Sequence, residues 1–379
     1  MKKIIILTSK GGGGHLAVSD ALKIYLGSHY KVHAVNTFSD VIHPLDVIRK
    51  ITFGKYDWIR FYNDFLTKKW FRLLSACQVI GAYYMRIRSG PLVQLLTAYL
   101  KKENADMVIS VVPLINAALI KSTKNLGIPL IIVPTDLDAT IVINGINQPQ
   151  EKHFRFTCSF DDDTIAQTIA PAQINKKQLV VTGFPIRPVF FTHKDIENIK
   201  HKYDVLPNKP VILLLMGYRG SNALYDFAQE LAKIKVAIHV LICTGKNTNV
   251  VRKIRTVSFP PHITTTIIGF TEHISDLMSI SDVFIGKSGS VSVCEALYMN
   301  LPLFLDATSG TLEWEKFNHD FVTQHNFGLS IKSEKDIAHI VTKFFSDTAY
   351  RQRMKKSLQT FKKKHAGTEI RTLVEKMLK

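Results

Sequence analysis

Ser281-Asp282-Val283-Phe284-Ile285-Gly286-Lys287-Ser288-Gly289-Ser290-Val291-Ser292-Val293-Cys294-Glu295-Ala296-Leu297 reads as a buried strand, a turn of small residues and a helix. A short apolar run suits a strand covered on both faces, as in a parallel sheet. Ser288, Gly289 and Ser290 would set the helix N-terminus against a diphosphate, with the hydroxyls adding hydrogen bonds. Glu295, about one and a half turns on, is placed to accept both ribose hydroxyls of a nucleotide. Gly286-Lys287-Ser288 alone suggests a P-loop, but that motif requires glycine at 281, where Ser281 stands.

Working outward, the same pattern recurs. Apolar runs rich in β-branched residues occupy Lys3 to Thr8, Met107 to Val112, Leu130 to Pro134, Val211 to Met216, His239 to Cys243 and Leu303 to Leu305. Helix-length stretches such as Ala17 to Leu26 and Asn222 to Ile234 lie between many of them, which is the α/β alternation. The alternation starts twice, each time with a strand running into a glycine-containing turn and a helix, at Ile4 to His15 and at Val211 to Ser221. Between the restarts, Gly183-Phe184-Pro185-Ile186-Arg187-Pro188 and a polar segment ending near Pro210 mark a domain junction.

In the first half, Gly11-Gly12-Gly13-Gly14-His15 follows the first strand and opens the first helix. Glycines there let backbone N–H groups approach a ligand closely. Leu16 stands where a dinucleotide fingerprint needs glycine, and no Walker pattern is present, so the loop is not nucleotide-specific. His15 at the mouth of the sheet, titrating near neutrality, is placed to take a proton from a hydroxyl.

The 379 residues exceed one ordinary core, so about two domains are expected. With 46% hydrophobic residues and 34 Gly plus Pro, a mainly disordered or fibrous chain is excluded. Forty-nine Lys and Arg against 31 Asp and Glu give +18, which points to an anionic partner. Residues 46 to 90 hold nine Lys or Arg against three Asp with ten aromatics interleaved, and residues 351 to 379 hold ten Lys or Arg against two Glu. Aromatics among cations suit a membrane interface or single-stranded nucleic acid. Neither a signal peptide nor a spanning helix is read, so a cytoplasmic or peripheral location is expected. Cys77, Cys158, Cys243 and Cys294 are scattered, with no metal-ligand or disulfide pattern.

Taken in order, the Gly-Gly-Gly-His loop, Thr135-Asp136-Leu137, Gly183-Phe184-Pro185-Ile186-Arg187, Leu215-Met216-Gly217, Gly269-Phe270, the turn and helix from Lys287 to Leu297, and Glu315 with Asn318 form a set. In that set the chain resembles the glycosyltransferases that include monogalactosyldiacylglycerol synthase, the processive diacylglycerol glucosyltransferases and, more distantly, the lipid-intermediate N-acetylglucosaminyltransferase of peptidoglycan synthesis. The resemblance implies a GT-B architecture, two doubly wound Rossmann-like domains facing a cleft. The first would cover 1–190 and meet the acceptor and the membrane. The second, 191–351, would bind a UDP-sugar, and a C-terminal helix over 352–379 would pack back on the first. It also implies an inverting transfer of a hexose from a UDP-sugar to a membrane lipid, most simply diacylglycerol, with no cofactor, no metal and no nucleic acid.

Carried over to this chain, the resemblance puts Phe270 beside the uracil, Lys287, Ser288, Gly289 and Ser290 at the diphosphate, Glu295 at the ribose, and Gly217, Glu315 and Asn318 around the donor. Gly12, Gly13, Gly14 and Asp136 fall on the acceptor side with His15 as base. Trp58, Lys68, Lys69, Trp70 and Arg72, together with Phe61, Phe65 and Phe71, are the expected membrane contacts. The chain departs from the pattern where a His and a Trp would follow Thr-Asp-Leu, here Asp138 to Asn144, and where Trp314 replaces a Gln before Glu315. Three rival readings are a metal-dependent GT-A transferase using Asp136-Leu137-Asp138, a nucleic-acid-binding protein, and a catalytically degenerate GT-B protein that binds lipid or regulates.

Overall fold

The computed structural model describes residues 1–68, 70–217 and 221–379. The chain divides into two compact units, one of residues 1–188, 312–314 and 362–379, the other of 189–311 and 315–361.

The first unit is built on a six-stranded parallel sheet of β1 (Lys3–Thr8), β2 (Lys31–Asn36), β3 (Met107–Ser110), β4 (Leu130–Ile132), β5 (Phe154–Cys158) and β6 (Leu179–Val181), in the order β2-β1-β3-β4-β5-β6. Ile4 to Leu7 and Met107 to Ile109 are fully buried, because helices cover both faces of the sheet. The chain winds outward from β1 to β2, then returns to place β3 on the other side of β1, with Leu7 opposite Ser110. That reversal opens a crevice at the carboxyl ends of β1 and β3.

The second unit repeats the plan with β7 (Val211–Leu215), β8 (Ile238–Cys243), β9 (Ile263–Ile268), β10 (Val283–Gly286), β11 (Leu303–Asp306) and β12 (Gly328–Ile331), ordered β12-β11-β10-β7-β8-β9 and all parallel. Its core joins Phe227, Ile285, Phe304 and Phe344. The reversal here lies between β7 and β10, where Gly286 pairs with Leu215. A Cβ on Gly286 would stand 2.4 Å from the Leu215 carbonyl oxygen, so the strand end tolerates only glycine.

The C-terminal stretch read from sequence as one helix over 352–379 is two. Helix Thr348–Thr360 belongs to the second unit, with Met354 in its core. Phe361 leaves helical geometry (φ −67°, ψ 124°) and packs on Phe321 and Phe327. His365 then caps helix Ala366–Leu378 by accepting from the Thr368 N–H. This last helix packs on helix Gly14–Gly27 in the first unit, where Gly367 lies against the Tyr25 ring and Tyr25 Oη donates to the Ile186 carbonyl at 2.8 Å. The break follows from a fixed aromatic, three consecutive lysines and a new cap.

Candidate active site

Each unit places part of its predicted set at its own switch point. In the first, the glycine loop leaves β1 and His15 sits in the first turn of helix Gly14–Gly27. His15 Nδ1 lies 2.7 Å from the Val111 carbonyl, just past β3, and 3.0 Å from Thr135 Oγ1. A carbonyl only accepts, so Nδ1 carries the proton and Nε2 keeps the lone pair. Thr135 in turn reaches Asp136 Oδ2 at 3.4 Å. Burial lowers the His15 pKa below its usual value, while the Asp136 charge and the Val111 bond oppose the fall, so the ring is a neutral base near pH 7.

Around His15 lies a cavity wholly within the first unit. Its polar lining includes Asp136, Asp138 and Gln78, and its aromatic lining is Phe38, Trp58, Tyr62 and Trp314. The helix Trp58–Thr67 also holds the loop itself. Asn63 accepts from the Gly12 N–H at 3.2 Å and donates to the Lys10 carbonyl at 3.3 Å. Tyr62 packs 3.4 Å from where a Gly11 Cβ would stand. Thr135, Asn63, Tyr62 and Gln78 are contributors that sequence reasoning did not single out as site residues. Their signal is spatial, since Asn63 is 51 positions from Gly12.

The aromatics expected at the membrane divide. Trp58 lines the cavity and stacks on Phe61 at 5.5 Å, Phe61 meets Phe65 at 4.1 Å, and Phe71 packs on a buried cluster of Leu74, Leu312 and Trp314. Trp58, Phe61, Phe65 and Phe71 are thus partly buried, their rings sharing in the unit's own packing. Trp70 is half exposed with Lys68 Nζ 5.2 Å from its ring, and Arg72 is exposed. Lys69 lies outside the described residues. The apolar groups that do face out are Leu73, Val79, Ile80, Tyr83 and Ile87 on helix Phe71–Ile87, joined by Val47, Ile51 and Phe53. Residues 73, 80, 83 and 87 recur at helical spacing and form one stripe.

In the second unit, Gly217 follows β7 in the left-handed region (φ 81°). Lys287, Ser288 and Gly289 join β10 to helix Ser290–Tyr298, whose first turn carries no acidic residue. The N-terminal end of its dipole favours an anion. Asn318, fully buried on helix Glu313–Gln324, donates from Nδ2 to the Ser288 carbonyl at 2.6 Å and to Ser290 Oγ at 2.9 Å. Asn318 therefore braces the turn, where the resemblance places it near the donor sugar. Glu315 Oε1 stands 3.7 Å from the position of a Gly289 Cβ, and Glu295 is buried on the helix. Phe270, past β9, is half exposed with Lys246 Nζ 5.0 Å from its ring, so a cation and an aromatic face share the end of the sheet. Among the described residues no cluster of three or more His, Cys, Asp or Glu is arranged for a metal ion.

Comparison with known proteins gives this geometry its context. Residues 211–368 match the glycosyltransferase family 28 C-terminal domain. The chain is similar to a processive diacylglycerol beta-glucosyltransferase of Staphylococcus carnosus, 23% identical with 96% of this chain and 90% of the relative covered. It is also 24% identical to a probable chloroplastic monogalactosyldiacylglycerol synthase of Glycine max, over 92% of this chain and 66% of the relative. Among solved structures, Acinetobacter baumannii MurG superposes with a TM-score of 0.67 at 13% identity, covering 99% of this chain and all of that one. The fold is GT-B.

Proposed function

We propose that this chain, which carries the family 28 glycosyltransferase C-terminal domain, is an inverting hexosyltransferase that moves a hexose from a UDP-sugar to the free hydroxyl of diacylglycerol. The observation that carries the reading is His15, held by the Val111 carbonyl so that only Nε2 is open to act, at the switch point of a cavity. Similarity to diacylglycerol glycosyltransferases over nearly the whole chain supplies donor and acceptor classes.

His15 Nε2 takes the proton from the acceptor hydroxyl, whose oxygen attacks the anomeric carbon. The bond from that carbon to the UDP oxygen breaks as the new bond forms, and the electron pair leaves with UDP. The leaving diphosphate is stabilised by the N-terminus of helix Ser290–Tyr298, by Ser288 and Ser290, and by Lys287. Thr135 and Asp136 orient the ring and stabilise the imidazolium that results. Glu295 accepts the ribose hydroxyls and Phe270 stacks on the uracil.

Diacylglycerol stays in the bilayer, so the enzyme works at its surface. No helix among the described residues is long and apolar enough to cross a membrane. The exposed stripe of helix Phe71–Ile87, flanked by Trp70, Lys68 and Arg72, docks on an anionic leaflet, each cation near it contributing about 1 kcal/mol. Incubation with a panel of UDP-sugars and anionic liposomes containing diacylglycerol, followed by mass analysis of the lipids, tests the activity. A hexose added to diacylglycerol is expected, and no addition from any donor refutes the reading. Replacing Leu73, Ile80 and Tyr83 with serine should reduce vesicle sedimentation while leaving UDP affinity unchanged.

A further inference from the structure

The cavity around His15 is short of positive charge in a chain that carries +18. Asp136 and Asp138 both line it, and no Lys or Arg does so among the described residues. Gln78 adds a further acceptor, its buried Oε1 having no hydrogen-bond partner among the described residues. The glycine loop does not make up the deficit. Gly11 N–H already donates to Ser9 Oγ at 3.0 Å and Gly12 N–H to Asn63 Oδ1 at 3.2 Å, so these two amides are not open to a phosphate. The two carboxylates differ in what holds them. Asp136 is tied to Thr135, and through it to the ring of His15. Asp138 serves its own turn, where Oδ1 accepts from Thr140 N–H at 2.9 Å, and that local bond fixes a carboxylate at the cavity wall.

An anionic leaflet presents hydroxyls of its own. Phosphatidylglycerol ends in a free glycerol, and when its hydroxyl reaches His15 the phosphate follows one glycerol unit behind, within the same cavity. Like charges that close in a half-buried site repel enough to shift an affinity by about tenfold or more. Diacylglycerol carries no charge and escapes that cost. We infer that Asp138 is a specificity-determining residue that rejects phosphate-bearing lipids, so that an enzyme docked on an anionic leaflet transfers only to an uncharged lipid hydroxyl. The inference rests on reading this cavity as the acceptor site. Selectivity of this kind comes from an unfavourable contact with the wrong ligand, not from a new contact with the right one. The positive charge that draws the protein to anionic lipids is kept out of the place where they would react.

The test compares the full-length enzyme with Asp138→Asn, which removes the charge and keeps an acceptor for the Thr140 N–H, and with Asp138→Glu, which keeps the charge. Initial rates are measured with the same UDP-hexose on phosphatidylglycerol and on diacylglycerol in micelles of an uncharged detergent, where surface docking does not favour either lipid. The ratio of kcat/KM for phosphatidylglycerol over that for diacylglycerol should be far below one in the wild type, rise about tenfold in Asp138→Asn and stay within about twofold of wild type in Asp138→Glu. A ratio unchanged in Asp138→Asn, or phosphatidylglycerol used as well as diacylglycerol by the wild type, overturns the inference while leaving diacylglycerol transfer in place. A second readout needs no transfer, because two of the three tryptophans, Trp58 and Trp314, line the cavity. Dihexanoylglycerol, kept below its micelle concentration, should quench wild-type tryptophan fluorescence saturably, with at least about tenfold more dihexanoyl phosphatidylglycerol needed, and Asp138→Asn should narrow that gap about tenfold. A gap that closes in Asp138→Asn without transfer to any lipid refutes the proposed function and keeps the charge selection. No saturable quenching by either lipid in the wild type, or equal quenching by both, overturns the inference whatever the variants do. Asp138→Ser, whose hydroxyl can also accept from the Thr140 N–H, makes the same comparison if Asp138→Asn fails to fold.

Discussion

The two switch points occupy the same place in two copies of one fold, yet they are furnished for opposite tasks. Where β1 and β3 part, the chain places an imidazole with one nitrogen tied to the Val111 carbonyl, a carboxylate nearby and aromatic walls. Where β7 and β10 part, it places small residues, a lysine and a helix N-terminus whose own first turn holds no acidic residue. The first set suits taking up a proton, the second suits holding negative charge. Topology thus decides where each site lies, and the few side chains at the strand ends decide what it does.

The strongest way to break this contrast is His15→Ala. Turnover should fall by about two to four orders of magnitude, as for loss of a general base, with UDP affinity within twofold of wild type by calorimetry. A fully active variant would make His15 a packing residue and dissolve the distinction.

A second contrast sharpens the first, because the second unit also buries an imidazole. His239 has both nitrogens engaged, with Thr264 Oγ1 at 2.8 Å and Thr266 Oγ1 at 3.0 Å, and burial brings its pKa down to about 4. The unfolded chain takes up that proton near 6.5, the folded chain only near 4. The stability contribution is complete above about pH 6.5 and is lost as pH falls towards 4, by up to about 3 kcal/mol. Denaturant melts of wild type and His239→Gln between pH 4 and 7 should show the variant with the shallower pH dependence.

On the donor side, Glu295→Ala should weaken UDP binding by about 1.5 to 3 kcal/mol. Unchanged affinity in a folded variant would remove Glu295 from the site. Gly367→Ala probes the first unit alone. The new methyl carbon would fall 2.2 Å from the Tyr25 ring, so a loss of about 1–3 kcal/mol is expected in thermal melts, with the UDP dissociation constant preserved. The smallest effect is a displacement along the pH axis. Because burial lowers the His15 pKa, the acid limb of kcat should lie below 6.5, and Asp136→Asn, by removing an opposing charge, should move it further to acid.

Much of the frame was legible in sequence because it is local. Val211 to Leu215 and Val283 to Ile285 are apolar runs with no other stable use, and Ser288 to Ser290 announce a helix start wherever they stand. His15 was legible for the same reason, being adjacent to the glycines that open its helix. Residues 46 to 90 were not, because charge and aromatic content do not say which way a ring points. Trp58 and Trp70 differ little as letters, yet one lines the cavity and the other faces out. Gln78 and Asn63 were beyond local reading, since each matters through a partner or cavity assembled by tertiary folding, and Thr135, though part of a recognised run, shows its contact with His15 only in the fold. Asn318 was recognised by position, but its work, holding Ser288 and Ser290, shows only once the helix is in place.

The proposed reaction is a single displacement with no enzyme-bound sugar, and single displacement inverts the anomeric carbon. Proton NMR of the lipid made from an α-linked UDP-hexose reads this directly from the anomeric coupling constant. A β-linked product is expected; an α-linked product would contradict single displacement.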